Sequence, residues 1–167
     1  MHNSSCAVLV LLLAACFSFA KEEGFWVSGT VESVHDGDTF KMKPQNSKNN
    51  QNKTLKIRMF GVDAPEINQE YGKESGNALR NLINGKEIRL YIHNTDRYGR
   101  SVGEAWLGDS INVSLWMIQN GNGWWYKSYA KKRTDLESAE KLAKEKKLGF
   151  WANENPVPPW DFRKKKK

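Results

Sequence analysis

The chain has 167 residues, with 26 Lys and Arg against 19 Asp and Glu and a formal net charge of +7. This length fits one domain with a buried core, and the seven Trp supply large apolar side chains for it. The positive charge is compatible with a polyanionic partner such as nucleic acid, or with a membrane surface, and it also serves solubility. Both cysteines, Cys6 and Cys16, precede residue 21, so the rest of the chain excludes a disulfide-stapled fold.

An apolar run covers residues 7–20 and is followed by a charged segment that starts at Lys21. The run is short for a membrane span and ends in Ser-Phe-Ala, a small-x-small cleavage site, which predicts a secretory signal peptide removed after Ala20. The segment Leu13-Ala14-Ala15-Cys16 also resembles a lipobox, so lipid anchoring through Cys16 is the alternative. Either way, we expect a secreted or periplasmic protein.

Alternating apolar residues and β-branched or aromatic side chains predict five strands. These are Phe25–Val34, Gly37–Lys43, Leu55–Met59, Glu87–His93 and Ser101–Leu107. In the third strand Arg58 points away from the core. Pro65 cannot continue the strand and restricts the residue before it, so we expect Asp63 and Glu66 on a bend at the rim of the sheet. A polar hairpin loop is predicted for residues 45–53.

Helical spacing of apolar residues predicts three helices. They cover Glu70–Asn84, a segment from Ile111 to about Ile118 that Gly121 closes, and Thr134–Leu148, where Thr134 and Glu137 form a capping box. Three strands, a helix, two strands and two helices describe an α+β protein that is mainly a β barrel. We expect five antiparallel strands closed into an OB-type barrel, an architecture that commonly binds oligonucleotides.

The domain organisation follows from these segments. We predict a signal peptide at residues 1–20, one domain at residues 21–162 and a basic, disordered tail at residues 163–167. The tail has two interpretations, added attraction to phosphate or a solvated chain end.

The charges that the strands and turns expose form one set of carboxylates and arginines. Its members are Asp36, Asp38, Arg58, Asp63, Glu66 and Arg100. Carboxylates brought together repel unless a cation lies among them, and oxygen ligands without Cys or His favour a hard ion such as Ca²⁺. Arginines beside such an ion can bind a phosphate through paired hydrogen bonds. The set therefore predicts a phosphodiester site.

Three ordered motifs carry a closer resemblance. They are Asp36-Gly-Asp-Thr39, Arg58-x-x-x-x-Asp63-x-Pro65-Glu66 and Asp96-x-Tyr-Gly-Arg100. From about Val27 to Trp151 the chain resembles the micrococcal (staphylococcal) nuclease family, the thermonucleases. The resemblance implies an OB-fold enzyme that cleaves DNA and RNA by Ca²⁺-dependent phosphodiester hydrolysis and leaves 3′-phosphate ends.

The resemblance also implies the metal site. Asp38 and Asp63 match the calcium carboxylates, and the backbone carbonyl of Ala64 matches a further ligand. The family archetype has Thr at the position of Ala64, a change that a carbonyl ligand should survive. Asp36 is expected near the metal without binding it directly.

The catalytic roles are implied in the same way. Glu66 matches the carboxylate assigned as general base on the attacking water, a residue that some analyses give only a positioning role. Arg58 and Arg100 match the pair that binds the phosphate and stabilises the five-coordinate transition state.

Two regions depart from the family pattern. The lysine-rich loop that follows the catalytic glutamate in the archetype is reduced to Ile67-Asn68-Gln69, which removes substrate contacts from that side. Tyr126 and Tyr129 are the candidates for base or phosphate contacts. For the neighbouring Trp124 and Trp125, packing of helices on the barrel is at least as good an interpretation.

Two other functions are compatible with parts of this pattern. One is a non-catalytic OB module that binds nucleic acid, and the other is an extracellular protein that binds polyanions or membranes. Neither requires the full set of carboxylates and arginines. We expect DNA and RNA as the partners, no protein partner, no transmembrane span and a monomer.

Overall fold

The computed structural model of the protein describes residues 24–45 and 53–165. Its strands are β1 (Phe25–Val34), β2 (Thr39–Pro44), β3 (Leu55–Met59), β4 (Val62–Asp63), β5 (Glu87–Thr95), β6 (Ser101–Leu107), β7 (Ile111–Asn112) and β8 (Trp124–Trp125). Its helices are α1 (Gly72–Ile83), α2 (Val113–Gln119), α3 (Thr134–Glu145) and α4 (Pro159–Lys164), with a short 3-10 helix at Gly149–Ala152. The signal peptide predicted at residues 1–20 and most of the loop predicted at residues 45–53 lie outside the described ranges.

The strands form a closed barrel in the order β3-β2-β1-β5-β6, and β3 pairs with β6 to complete the ring. This order confirms the predicted α+β fold with a five-stranded OB barrel. The expectation that every pairing is antiparallel was wrong at the closure, because β3 and β6 run parallel. The reason is geometric: an odd number of strands that alternate in direction around a ring must contain one parallel pair.

The barrel interior is filled by the alternate residues that the strand pattern placed inward. Apolar side chains with 0 or 1% exposure come from all five barrel strands and include Val31, Phe40, Met42, Ile57, Met59, Ile88, Leu90 and Ala105. Leu79 and Ile83 of α1 are fully buried against them. Burying such side chains is the main favourable term for a domain that has no disulfide.

The structure confirms Thr134 as the first residue of α3 but corrects the expected capping of this helix. Arg133 precedes the helix as its N-cap residue, and no side chain caps it, so the capping box predicted for Thr134 and Glu137 is wrong. The guanidinium of Arg133 instead bonds Asp135 and Glu104. The first turn of α3 is therefore tied to the barrel strand β6, which carries Glu104, by an arginine.

The count of three helices was also too low, because a fourth, α4, runs from Pro159 to Lys164. Arg163 and Lys164 lie on this helix, whereas composition predicted a disordered tail from residue 163. Pro159 occupies the first turn, where its missing amide leaves no hydrogen bond unmade. No helix in the described ranges is long and apolar enough to cross a membrane.

Trp124 and Trp125 form β8, which pairs antiparallel with β4. Both tryptophans are buried, and Trp124 stacks on Phe150 with ring centroids 3.6 Å apart. The packing interpretation of these two residues is therefore confirmed. The same pairing sets Asp63 opposite Trp124 and fixes its position at the edge of the barrel.

Candidate active site

Arg58 links the two aspartates predicted to bind metal. Its Nη2 lies 2.7 Å from Oδ1 of Asp63, and its Nη1 lies 3.3 Å from Oδ1 of Asp38. Nη1 also donates to the backbone carbonyls of Met59 and Val62, at 3.1 and 2.7 Å. These contacts hold the guanidinium on several sides. The side chain of Arg58 points out of the barrel core, as the alternation in β3 predicted.

Asp63 lies in β4 and not on an open bend at the rim, so that part of the prediction was wrong. Its side chain is completely buried. Burial raises the pKa of Asp63, an effect that the guanidinium groups of Arg163 and Arg58 oppose and the nearby charge of Asp38 reinforces. An aspartate buried this deeply needs positive charge beside it to stay ionised.

The turn before β2 brings Asp36 and Asp38 together. Oδ1 of Asp36 accepts a hydrogen bond from the backbone N–H of Asp38 at 3.1 Å, an Asx turn. Oδ2 of Asp38 accepts the backbone N–H of Ala64 at 2.7 Å, which joins this turn to the segment after β4. Burial, together with the charge of Asp38, raises the pKa of Asp36 to about 7.

Gly37 allows this turn to lie against its neighbours. A Cβ at that position would come within 1.9 Å of Oγ of Ser75 and 2.6 Å of Cβ of Ala64. Ser75 is fixed by donating to the carbonyl oxygen of Asn122 at 2.6 Å. The close approach of turn, helix α1 and β4 segment therefore depends on a residue without a side chain.

Glu66 is more accessible than Asp38 and Asp63, with 38% of its side chain exposed against 8% and 0%. Its backbone N–H donates to Oε1 of Gln69 at 3.1 Å, and its carbonyl accepts the N–H of Gln69 at 2.8 Å. These two hydrogen bonds join the ends of the shortened loop, Glu66 and Gln69, in a tight turn. The side chain remains open to solvent, where a water molecule can reach it.

Arg163 is the site residue that the sequence reasoning missed. Its Nη2 lies 2.7 Å from Oδ2 of Asp63, and its Nη1 lies 2.8 Å from Oε1 of Glu66. The two carboxylates raise the pKa of Arg163 against the opposite effect of burial. Pro158-Pro159 before a short aromatic segment was the one available signal for a helix start here.

Arg100 does not join this cluster directly. Its Nε lies 2.8 Å from Oδ2 of Asp96, and its backbone N–H donates to Oδ1 of the same aspartate. Val102 is the parallel partner of Arg58, and Arg100 comes directly before Ser101, the first residue of β6. Arg100 therefore enters the strand that pairs with the strand of Arg58.

Tyr126 and Tyr129 lie together at a neighbouring edge, with ring centroids 4.9 Å apart. The backbone N–H of Tyr126 donates to the carbonyl of Gly61 at 2.9 Å, which places this segment beside the turn between β3 and β4. Tyr129 is 70% exposed and Tyr126 is partly exposed. Trp160 of α4 lies nearly parallel to Tyr126 at 6.1 Å and extends the aromatic surface.

The described residues contain no group of three or more His, Cys, Asp or Glu side chains arranged to hold a metal ion. The donors nevertheless fit a cation, because Asp38 and Asp63 are buried, offer only oxygen atoms, and already have a guanidinium between them. That guanidinium stands in for the positive charge that buried carboxylates require. A hard ion such as Ca²⁺ matches this donor chemistry.

A closed OB barrel with buried aspartates and arginines at its edge is compatible with the class of nucleic-acid-processing OB-fold hydrolases, although the fold alone does not define a function. Comparison with known proteins agrees: the family model described as "Staphylococcal nuclease homologue" matches residues 56–153. The chain belongs to this staphylococcal nuclease family. The identification made from the three motifs is therefore confirmed.

Individual relatives show how far the similarity extends. A protein named "Uncharacterized endonuclease" from Escherichia coli O157:H7 is 34% identical over 142 residues, which is 84% of this chain and 87% of the relative. "Probable staphylococcal-like nuclease CAN3" from Oryza sativa subsp. japonica is 41% identical over 109 residues. That match covers 65% of this chain but only 28% of the rice protein. "Staphylococcal-like nuclease CAN1" from Arabidopsis thaliana is 37% identical over 115 residues, 69% of this chain and 35% of the relative. The prediction of a nuclease-type hydrolase is confirmed by these matches.

Proposed function

We propose that the protein is a secreted, calcium-dependent nuclease that hydrolyses phosphodiester bonds of DNA and RNA and leaves 3′-phosphate ends. The observation that carries the proposal is the contact of Arg58 with both Asp38 and Asp63, beside the solvent-open carboxylate of Glu66. A module that only bound nucleic acid would gain nothing from carboxylates at its phosphate-binding edge, since they repel the backbone.

Asp38, Asp63 and the backbone carbonyl of Ala64 are the proposed calcium ligands, and Asp36 holds the turn that carries Asp38. When bound, a calcium ion supplies positive charge that neutralises the phosphate and makes its phosphorus more electrophilic. The Ala64 amide fixes Asp38, so the two aspartates are oriented before an ion arrives.

Glu66 is the proposed general base. Its exposed carboxylate takes a proton from a water molecule as that water attacks phosphorus, and the bond from phosphorus to the 5′-oxygen breaks. The products are a 3′-phosphate on one fragment and a 5′-hydroxyl on the other. If Glu66 only positions the water, its loss still lowers the rate but without a dependence on the basicity of the side chain.

Arg58 and Arg100 are proposed to bind the reacting phosphate and to stabilise the charge that develops as water adds. Arg58 lies in β3, and Arg100 directly precedes β6, the parallel partner of β3. Arg58 has to exchange some of its contacts with Asp38 and Asp63 for contacts with phosphate, which calcium at those aspartates favours because it replaces the lost positive charge.

Tyr126 and Tyr129 are proposed to stack on bases or contact phosphate next to the cleavage point. Exposed tyrosines accept any base on their faces, so this contact adds affinity without sequence preference. The net charge of +7 attracts a polyanion over a longer range, and affinity should therefore fall steeply with salt.

Secretion is proposed from the apolar run at residues 7–20, with lipid anchoring through Cys16 as the alternative. A monomer is proposed because all the site residues come from one chain. The mass of the mature N-terminus separates the two processing routes, since acylation adds a lipid to Cys16 whereas cleavage after Ala20 leaves Lys21 first.

The proposed activity is tested by digesting single-stranded DNA, plasmid DNA and RNA in calcium and in excess chelator. We expect cleavage of all three in calcium, none in chelator, and products whose 5′ ends accept radioactive phosphate without prior dephosphorylation. Full activity in chelator would refute the metal assignment. Tight binding without any cleavage would instead support the non-catalytic OB module.

A further inference from the structure

Helix α4 brings a guanidinium onto two carboxylates of the proposed reaction site. We propose that Arg163 is a built-in competitor of the metal ion, which holds Asp63 and Glu66 in the metal-free protein and must leave before calcium binds. This inference rests on the proposed function, in which Asp63 is a calcium ligand. Helix α4 lies beyond residue 153, where the match to the family ends, so Arg163 is a feature that the family resemblance does not imply.

The competition follows from the hydrogen bonds of Asp63. Its Oδ2 is held by Nη2 of Arg163 at 2.7 Å, and its Oδ1 is shared between Arg58 at 2.7 Å and Arg163 at 3.3 Å. Both oxygens are thus engaged by guanidinium groups within the described chain. A calcium ion bound to either oxygen of Asp63 would lie beside two guanidinium groups and be repelled by both. One of the two arginines therefore has to move away before the ion binds.

Access to Asp63 leads to the same conclusion. The side chain of Asp63 has no exposed surface, whereas 42% of the side chain of Arg163 is exposed. Arg163 therefore lies between the aspartate and solvent, and its displacement opens a path to the carboxylate. Glu66 is released by the same movement, because its Oε1 is bonded to the same guanidinium.

The contacts of α4 allow such a displacement. The helix has six residues and follows a segment, Asn153–Pro158, that forms neither helix nor strand. It is anchored by the buried Pro159, by Trp160, which lies nearly parallel to Tyr126 and edge-on to Trp124, and by the bond from Nε2 of Gln69 to the carbonyl of Val157 at 2.6 Å. A helix this short opens at a lower free energy than the strands of the barrel core. Trp160 and Arg163 are three residues apart on one helical face, so one movement shifts both.

The test is calcium binding to the full mature protein, measured by isothermal titration calorimetry without nucleic acid. Arg163→Ala should bind calcium roughly tenfold or more tightly than the parent, because the open form no longer has to be populated against the arginine contacts. Lys164→Ala is the matched control. It removes the same charge from the same helix, but the Lys164 side chain is 76% exposed and, among the described residues, forms its ion pair with Asp161 on the same helix. Its calcium affinity should stay within about twofold of the parent.

Two further variants make the outcome decisive. Arg163→Gln keeps a polar, unbranched side chain but removes the charge and the guanidinium fork, and it replaces Arg163→Ala if circular dichroism shows that the alanine variant does not fold. Asp63→Ala reports whether calcium binds through Asp63. If the parent binds calcium, Asp63→Ala abolishes binding, and neither Arg163 variant binds more tightly, then Arg163 is no competitor although the proposed metal site stands. If Asp63→Ala binds calcium as the parent does, the metal site itself is wrong and the inference falls with it.

Discussion

Nη2 of Arg58 and Oδ1 of Asp63 lie 2.7 Å apart, and the two side chains come from strands β3 and β4, which only Phe60 and Gly61 separate. The residue proposed to bind phosphate is therefore paired, before substrate arrives, with a residue proposed to bind metal. Only 13% of the Arg58 side chain is exposed, so the pair is largely desolvated and is sensitive to loss of either partner. Because Arg58 and Asp63 are paired, a substitution of either residue is expected to affect both phosphate binding and metal binding.

Arg58→Lys should lower turnover far more than substrate affinity. Lysine keeps the positive charge but cannot reproduce the forked bonds to phosphate, and loss of one donor to a transition state reduces turnover by roughly 10²- to 10³-fold. Single-turnover cleavage measured beside equilibrium binding separates the two effects. Lys56→Gln, an exposed change on the same face of β3, is the control and should leave turnover unchanged. Turnover of Arg58→Lys at the parental level would indicate that positive charge alone suffices at this position and that the forked contact is not needed.

Glu66→Gln should reduce turnover by roughly two to four orders of magnitude while substrate binding stays near normal. Glutamine keeps the size of the side chain and an oxygen that can accept a bond from Arg163, but it cannot accept the proton of water. Glu70→Gln is a suitable control because Glu70 is exposed and bonds Asn153 at the end of the same loop. Cleavage by Glu66→Gln at the parental rate would exclude the role as base.

Gly37→Ala should destabilise the fold and weaken calcium binding together. Its Cβ would be forced against Ser75 and Ala64, and overpacking of this kind typically reduces the free energy of unfolding by about 1–3 kcal/mol. Gly76→Ala is matched to it, because Gly76 faces the same turn from α1 but its Cβ would lie 3.5 Å from Cα of Asp36, an ordinary contact. That variant should be neutral or more stable by up to about 1 kcal/mol, since alanine favours a helix. Urea denaturation and calcium titration of both variants provide the comparison.

Asp96→Asn should reduce stability at neutral pH and have little effect in strong acid. Burial favours the neutral acid, but hydrogen bonds from Arg100 and Tyr98 outweigh it and hold the pKa of Asp96 below its ordinary value. A carboxylate with a lowered pKa stabilises the folded state fully above its unfolded pKa, about 3.8, and loses that effect as pH falls through the folded value. The difference in unfolding free energy between parent and variant should therefore be constant from neutral pH down to about 5 and then shrink. A difference that did not change with pH would mean that the charge of Asp96 is not what stabilises the turn.

Much of the barrel could be predicted from the sequence because strand periodicity reports burial directly. In the predicted strand Gly37–Lys43, alternation alone puts Phe40 and Met42 on one face, and both are fully buried. The burial of Asp63 could not be foreseen in this way, since it depends on the pairing of β4 with β8, a contact between segments far apart in the chain. Local sequence around Asp63 shows only a strand that stops before a proline.

Arg163 illustrates a different limit. A run of basic residues at a chain end has the composition of a solvated tail, and its helical character comes from Pro159 together with the docking of Trp160. Its contact with Asp63 joins residues 100 positions apart, which no local pattern encodes. For the contact between Arg163 and Asp63, the physical hint in the sequence was charge complementarity, because a buried carboxylate is stabilised by a nearby cation.

The parallel pairing of β3 with β6 has a kinetic consequence. Ile57 and Ser101 are neighbours across this seam, but α1 and β5 lie between them in the chain, so closing the ring requires a long loop to be ordered first. The seam is therefore expected to form late in folding, after the β1–β2 and β2–β3 hairpins. Since the same seam brings the strand of Arg58 beside the strand that Arg100 precedes, partly folded chains would contain most of the barrel yet lack the proposed pairing of these two arginines.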